Sequence, residues 1–128
     1  MSRIISSSNV LGNRVAVRDF KNKNIVISVS GMKKGASLLL KCQGSFEDSA
    51  PDFSKVKSAE NVWDYIAVKD LNDGRIIDGD TGILIEDYDD VQMYHIESCG
   101  LNWIAIEVVK KSSESIHISA NIHAYSDN

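Results

Sequence analysis

The stretch Asn24-Ile25-Val26-Ile27-Ser28-Val29-Ser30 sets Ile25, Ile27 and Val29 on one side of an extended chain and Val26, Ser28 and Ser30 on the other. A period of two with β-branched residues is the pattern of a strand that has one face on a core. Ala36 to Phe46 repeats it: Ala36, Leu38, Leu40 and Cys42 oppose Ser37, Lys41 and Gln43, while Leu39 interrupts the polar side. Trp103 to Val109 and Ile116 to Ala124 alternate in the same way and are connected by the polar run Lys110 to Ser115. Shorter segments, Val62 to Leu71, Arg75 to Ile77, Gly82 to Ile85 and Val91 to Glu97, lie between Gly, Asn and Asp clusters and complete a series of strands. Only Ser54 to Asn61 could form a single helical turn. The expectation is an all-β fold, an antiparallel β-sandwich of jelly-roll or immunoglobulin-like type in one domain. Its body is expected over residues 10–128, with Met1 to Asn9, polar and serine-rich, as a flexible N-terminal arm.

A chain of 128 residues is long enough for one core, burying roughly 65–70% of its unfolded surface without disulfides or metals. The net charge of −4 argues against a phosphate-backbone binder, since that affinity rests on clustered Lys and Arg. Lys21, Lys23, Lys33 and Lys34 make a small basic patch that reads as a solvated face. The opening MSRIISSSNV has no apolar run of signal-peptide length, and no segment approaches the ~18 residues of a membrane span, so neither nucleic acid nor membrane is an expected partner. Cys42 and Cys99 read as free thiols packed as small apolar groups.

Several local patterns suggest chemistry, and each is weighed against a plainer role. Asp80-Thr81-Gly82 spells the triplet that carries the catalytic carboxylate of dimeric aspartic proteases. That site needs apolar strand residues before the carboxylate, whereas Asp78-Gly79 precede it, and Ile83 stands where a small residue belongs. Asp78 to Gly82 therefore reads as a turn, with both glycines free to take positive φ and Asp80 or Thr81 bonding local amides. Asp70 and Asn72 match the first two ligands of a calcium loop, but Gly74 and Thr81 fall at the wrong positions, and Asn72-Asp73-Gly74 is a hairpin turn signal instead. Glu86, Asp87, Asp89 and Asp90 form an acidic loop in which an irregular cation site is the alternative to solvated charge. His117 and His123 share a strand face but stand about 20 Å apart, too far to share a metal. His95 has no nucleophile at a recognisable spacing. Trp63, Tyr65 and Trp103 suit a sugar-stacking platform or, more simply, a core or interface. No catalytic, cofactor-binding or metal-ligating residue is expected.

Taken together, Ser45-Phe46, Asn61-Val62-Trp63-Asp64-Tyr65, Val68 to Gly74, Gly79 to Ile83 and Gly100-Leu101-Asn102-Trp103 resemble segments of small structural proteins of tailed bacteriophages. The resemblance spans roughly Leu38 to Tyr125 and is to capsid decoration or cement proteins with a β-sandwich fold. It implies a non-enzymatic virion component, present as a homo-oligomer or in many copies, that binds the major capsid protein or another virion protein. A carbohydrate- or receptor-binding module displayed on a virion is the alternative, distinguished by a solvent-facing aromatic shelf, and a dimeric aspartic protease the remote one.

Overall fold

The computed structural model describes residues 3–98 and 100–127. Eleven strands run in chain order as β1 (Arg3–Asn9), β2 (Val15–Ala16), β3 (Asn22–Ser30), β4 (Ser37–Ser45), β5 (Asp64–Tyr65), β6 (Val68–Asp70), β7 (Ile76–Ile77), β8 (Ile83–Glu86), β9 (Asp90–Ile96), β10 (Trp103–Lys111) and β11 (His117–Asp127). They form two antiparallel sheets, β1-β11-β3-β9-β6-β7 and β2-β10-β4-β5, with β8 also paired to β4. The chain is a β-sandwich, and among the described residues there is no helix. Ser54 to Asn61 is a run of turns closed by the Ser58–Asn61 bridge.

The strand order separates the two sandwich types left open by the sequence. With the β5 to β7 excursion set aside, the first sheet reads β1-β11-β3-β9 and the second β2-β10-β4-β8. That is an antiparallel ribbon folded over so that its first strand lies beside its last: the jelly-roll arrangement. β5, β6 and β7 are inserted between β4 and β8. The Val62 to Leu71 run, one strand by its pattern, divides between the sheets: β5 lies on β4, Ile66 donates from its backbone N–H to the Cys42 carbonyl at 2.9 Å, and β6 joins β9 in the other sheet. The Asn72-Asp73-Gly74 turn closes the β6–β7 hairpin as expected, with Gly74 at φ 76°, the Asp70 N–H donating to the Arg75 carbonyl at 2.8 Å and the Asp70 carbonyl accepting from the Gly74 N–H at 2.8 Å.

Period two fixes which residues enter the core. Ile25, Ile27 and Val29 of β3 face Leu38, Leu40 and Cys42 of β4 across the sandwich, and Tyr94, Ile96, Ile104, Ile106, Ala120 and Ile122 fill the space between. A fully buried aliphatic side chain contributes roughly 1.5–3 kcal/mol, so these rows supply most of the stability. Cys42 is a free buried thiol, and burial pushes its pKa up to about 12, which keeps it neutral and apolar. Cys99 lies outside the described residues.

Two expectations are corrected. Arg3–Asn9 is not a free arm: it is β1, paired residue for residue with β11 from Arg3–Asp127 to Asn9–Asn121, so the sandwich begins at residue 3 and Met1 and Ser2 lie outside the described residues. Serines give no hydrophobic alternation, yet the N–H and C=O groups of this segment that face β11 are satisfied there as well as those of an apolar edge strand would be. Lys23 is not part of a solvated face. It occupies the inward parity of β3 two residues before Ile25, is 1% exposed, and directs its ammonium to the Phe20 and Lys21 carbonyls.

The Asp78 to Gly82 segment is a turn, but its details differ from the sequence reading. Gly82 alone of the two glycines has positive φ, at 79°. Gly79 is needed for space: a Cβ there would lie 2.6 Å from the Tyr65 carbonyl. The carboxylate that organises the turn is Asp78, whose Oδ2 accepts the N–H groups of Asp80 and Thr81 at 3.1 and 3.2 Å, while Asp80 is exposed. Urea unfolding should therefore show Asp80→Asn within about 0.5 kcal/mol of the parent. Gly82→Val, strained in φ and with its Cβ only 2.7 Å from the Leu40 carbonyl, should lose about 2 kcal/mol or more.

Candidate functional site

The connections of a sandwich leave backbone amides without a strand partner, and here acidic side chains take them. Asp87 Oδ1 accepts the Gly35 N–H at 2.8 Å, and Asp89 Oδ1 accepts the Met32 N–H at 2.8 Å, so the β8–β9 connection grips the β3–β4 connection. The Asp87 N–H returns a bond to the Ala36 carbonyl at 3.0 Å. Asp87 holds a positive φ of 71°, a conformation Asp tolerates better than most residues. Asp90 bonds the Val91 N–H and the Gln92 amide. The acidic loop, read from sequence as solvated charge with a cation site as the alternative, uses Asp87, Asp89 and Asp90 to clamp amides, and among the described residues no three His, Cys, Asp or Glu side chains are placed to hold a metal.

The histidines are separated. His117 stands opposite Ser30 and His123 opposite Asn24 on the outer side of the six-stranded sheet. His95, also opposite Asn24 but on the other side of β3, shares a 2.8 Å hydrogen bond between its Nδ1 and Asn24 Oδ1. Asp80 is brought to none of them.

On the outer face of the five-stranded sheet, register places Ala105, Gln43 and Tyr65 in one row and Glu107 beside Lys41 in the next. The Tyr65 hydroxyl donates to Glu107 Oε2 at 3.1 Å, and Gln43 Nε2 donates to Glu107 Oε2 at 3.0 Å and to the Phe53 carbonyl at 2.8 Å. Burial and then the hydrogen bond to Glu107 raise the Tyr65 pKa, so the phenol stays a donor. Sequence patterns put Gln43, Tyr65 and Glu107 outward on three different strands, but only the pairing register shows that they meet. A groove of about 530 Å³ opens beside this network between Arg14, Phe53 and Val108.

The three large aromatics do not build a shelf. Trp63 is 8% exposed and meets Phe53 and Tyr65 edge-on, at interplanar angles of 71° and 83°. The Lys41 ammonium lies 4.8 Å from the Tyr65 ring centroid, and Trp103 donates its indole N–H to the Glu47 carbonyl at 3.1 Å. These rings pin the 46–63 connection onto the sheet.

The outer face of the six-stranded sheet carries exposed apolar side chains, as the five-stranded one does at Leu84. Val91 and Met93 of β9 are 65% and 54% exposed, and both point away from the core because Tyr94 and Ile96 hold the inward parity. Leu71, 47% exposed, is tied to β9 through its N–H on the Met93 carbonyl at 3.0 Å, and half-buried Val26 is the register partner of Met93 on β3. These four residues form one apolar patch. Beside it, Asp70 and Asp90 border a groove of about 500 Å³ along the stretch of β9 that β6 leaves unpaired. Sequence reading missed this patch, because Val91 and Met93 sit in a run that is apolar on both faces.

No protein-family model, curated protein or solved structure matches the chain.

If the acidic loop works through its amide clamps, Asp87→Ala and Asp89→Ala should each lower unfolding free energy by about 1–2 kcal/mol, Asp87→Asn less. Millimolar calcium or a chelator should leave the thermal midpoint of the parent protein unchanged; a clear rise with calcium would restore the cation site.

Proposed function

We propose that the protein is a non-enzymatic structural component of a virion, a capsid decoration or cement-like subunit that works by binding neighbouring shell proteins. The observation that carries this reading is the Val26, Leu71, Val91 and Met93 patch, exposed on an ordered sheet where folding alone supplies no reason for it. Contiguous apolar surface rimmed by polar groups marks protein contact sites. The groove along the edge of the patch is bordered by Asp70 and Asp90, so a partner that reaches it presents apolar side chains with Lys or Arg on that side. A jelly roll is a fold used by capsid and lectin domains, which agrees with the proposal at the level of architecture. The sequence resemblance to tailed-phage decoration proteins points the same way. A carbohydrate-binding module would need a shelf of ring faces open to solvent, whereas Trp63 meets Phe53 and Tyr65 edge-on and Trp103 is bonded to the 46–63 connection, so the three residues that suited such a shelf do not form one.

Mass spectrometry of purified particles tests the proposal: the chain should be present in many copies per particle. Val91→Lys combined with Met93→Lys should weaken particle binding by at least about tenfold, or 1.4 kcal/mol, with the unfolding midpoint retained. Raised salt should weaken the parent contact as well, through screening of Asp70 and Asp90. Absence of the chain from particles would overturn the assignment.

A further inference from the structure

We infer that β1 is a homotypic docking edge, on which β1 of a second copy adds antiparallel and joins two six-stranded sheets into one continuous sheet. β1 ends its sheet, paired by β11 on one side only. Its seven residues contrast with the two each of β2, β5 and β7 and the four of β8, which lie at the other sheet edges. The Val10 N–H bonds the Ala120 carbonyl at 3.0 Å, one register step beyond the Asn9–Asn121 pair. Antiparallel ladders alternate the direction of their polar groups, so Ser8, Ser6 and Ile4 bond β11 while Ser7, Ile5 and Arg3 turn their N–H and C=O groups to the open side, and the Asn9 carbonyl accepts from the Asn13 side chain at 3.1 Å.

Natural sheets guard such edges with charge, proline, bulges or brevity. β1 has none of these along its middle: the β1–β11 register is continuous, and the sequence from Ile4 to Asn13 contains neither proline nor a charged residue. The same feature selects the occupant. A two-fold axis at Ser6 overlaps the middle of the strand, setting Ile5 against Ser7 and Ile4 against Ser8, a stretch without a charged residue. The strand is therefore self-complementary, which is what an isologous contact requires. A ladder of this length buries less than the ~1,200 Å² of a standard stable interface, so the dimer is weak alone and gains when copies are held at high local concentration. It adds a contact between like copies to the apolar patch, and it does not depend on what that patch binds.

Sedimentation equilibrium on the full chain, up to about 1 mM, should show reversible dimerisation. Ser7→Pro removes an outward N–H and should raise the dissociation constant at least about tenfold with the thermal midpoint retained, because proline is tolerated on an edge strand. Ser8→Pro removes an N–H that bonds β11 and should instead lower the midpoint. Hydrogen exchange on the unmodified chain supplies an independent reading. The Ile5 and Ser7 amides should gain protection as concentration rises, while the Ser8 amide is protected throughout. A chain that stays monomeric over the whole range, or a dimer that leaves the Ile5 and Ser7 amides unprotected, would overturn the inference.

Discussion

Everything in this fold depends on the last strand entering between the first and the third. β11 pairs with β3 from His117–Ser30 to Tyr125–Asn22 and with β1 from Asn121–Asn9 to Asp127–Arg3. Its inward residues alternate small and large, with Ala120 and Ala124 flanking Ile122, and the register sets Ile122 beside Ile25 and Ala120 beside Ile27 of β3 on the same core face. The six-stranded sheet therefore closes only when segments from both ends of the chain are present. Local elements such as the β6–β7 hairpin can form early, but the jelly roll waits on contacts of the longest sequence separation, which is the slow step for such topologies.

The four long strands were legible because each has one buried face, and a buried face writes its period of two into the side chains. β3, β4, β10 and β11 all carry it. What the sequence could not show is where a strand has no apolar face or changes sheets. β1 is Ser-Ser-Ser at its centre and owes its structure to pairing with β11, a partner more than a hundred residues away. The Val62 to Leu71 run looks continuous because Tyr65, Ile66 and Val68 are all suitable strand residues, yet the chain passes from one sheet to the other in its middle. Parity explains Lys23 as well: a charged residue two positions before Ile25 reads as surface until the strand is seen to begin at Asn22.

The same limit applies to the surfaces. That Asp78 to Gly82 is a turn followed from its composition; that Asp78 and not Asp80 caps it depends on which carboxylate the backbone brings under the following amides. The acidic loop shows how far side-chain counting can mislead. Asp87 and Asp89 look like a surplus of negative charge, but each is engaged by a backbone N–H of the neighbouring connection. Hydrogen bonds to a charged acceptor contribute roughly 1.5–3 kcal/mol where they are shielded and less where they are exposed, so the loops are held by their acids and do not collapse into a cation cage.

The two outer faces of the sandwich are treated unequally. Over the five-stranded sheet the 46–63 connection is drawn down by Trp63, Phe53 and the Gln43–Glu107 network, and Trp103 fastens its start, so that even Gln43 and Ser45, outward by parity, are buried. Where that connection does not reach, apolar side chains stay exposed on both faces: Val91, Met93 and Leu71 on the six-stranded sheet, and Leu84, beside half-buried Leu39, on the five-stranded one. A sequence under pressure only to fold would gain solubility by placing polar residues at Val91 and Met93, as β11 does on the same face with Ser119, Asn121 and His123. β11 and β9 belong to one sheet and share one outward parity, so the sheet itself does not require apolar side chains at Val91 and Met93.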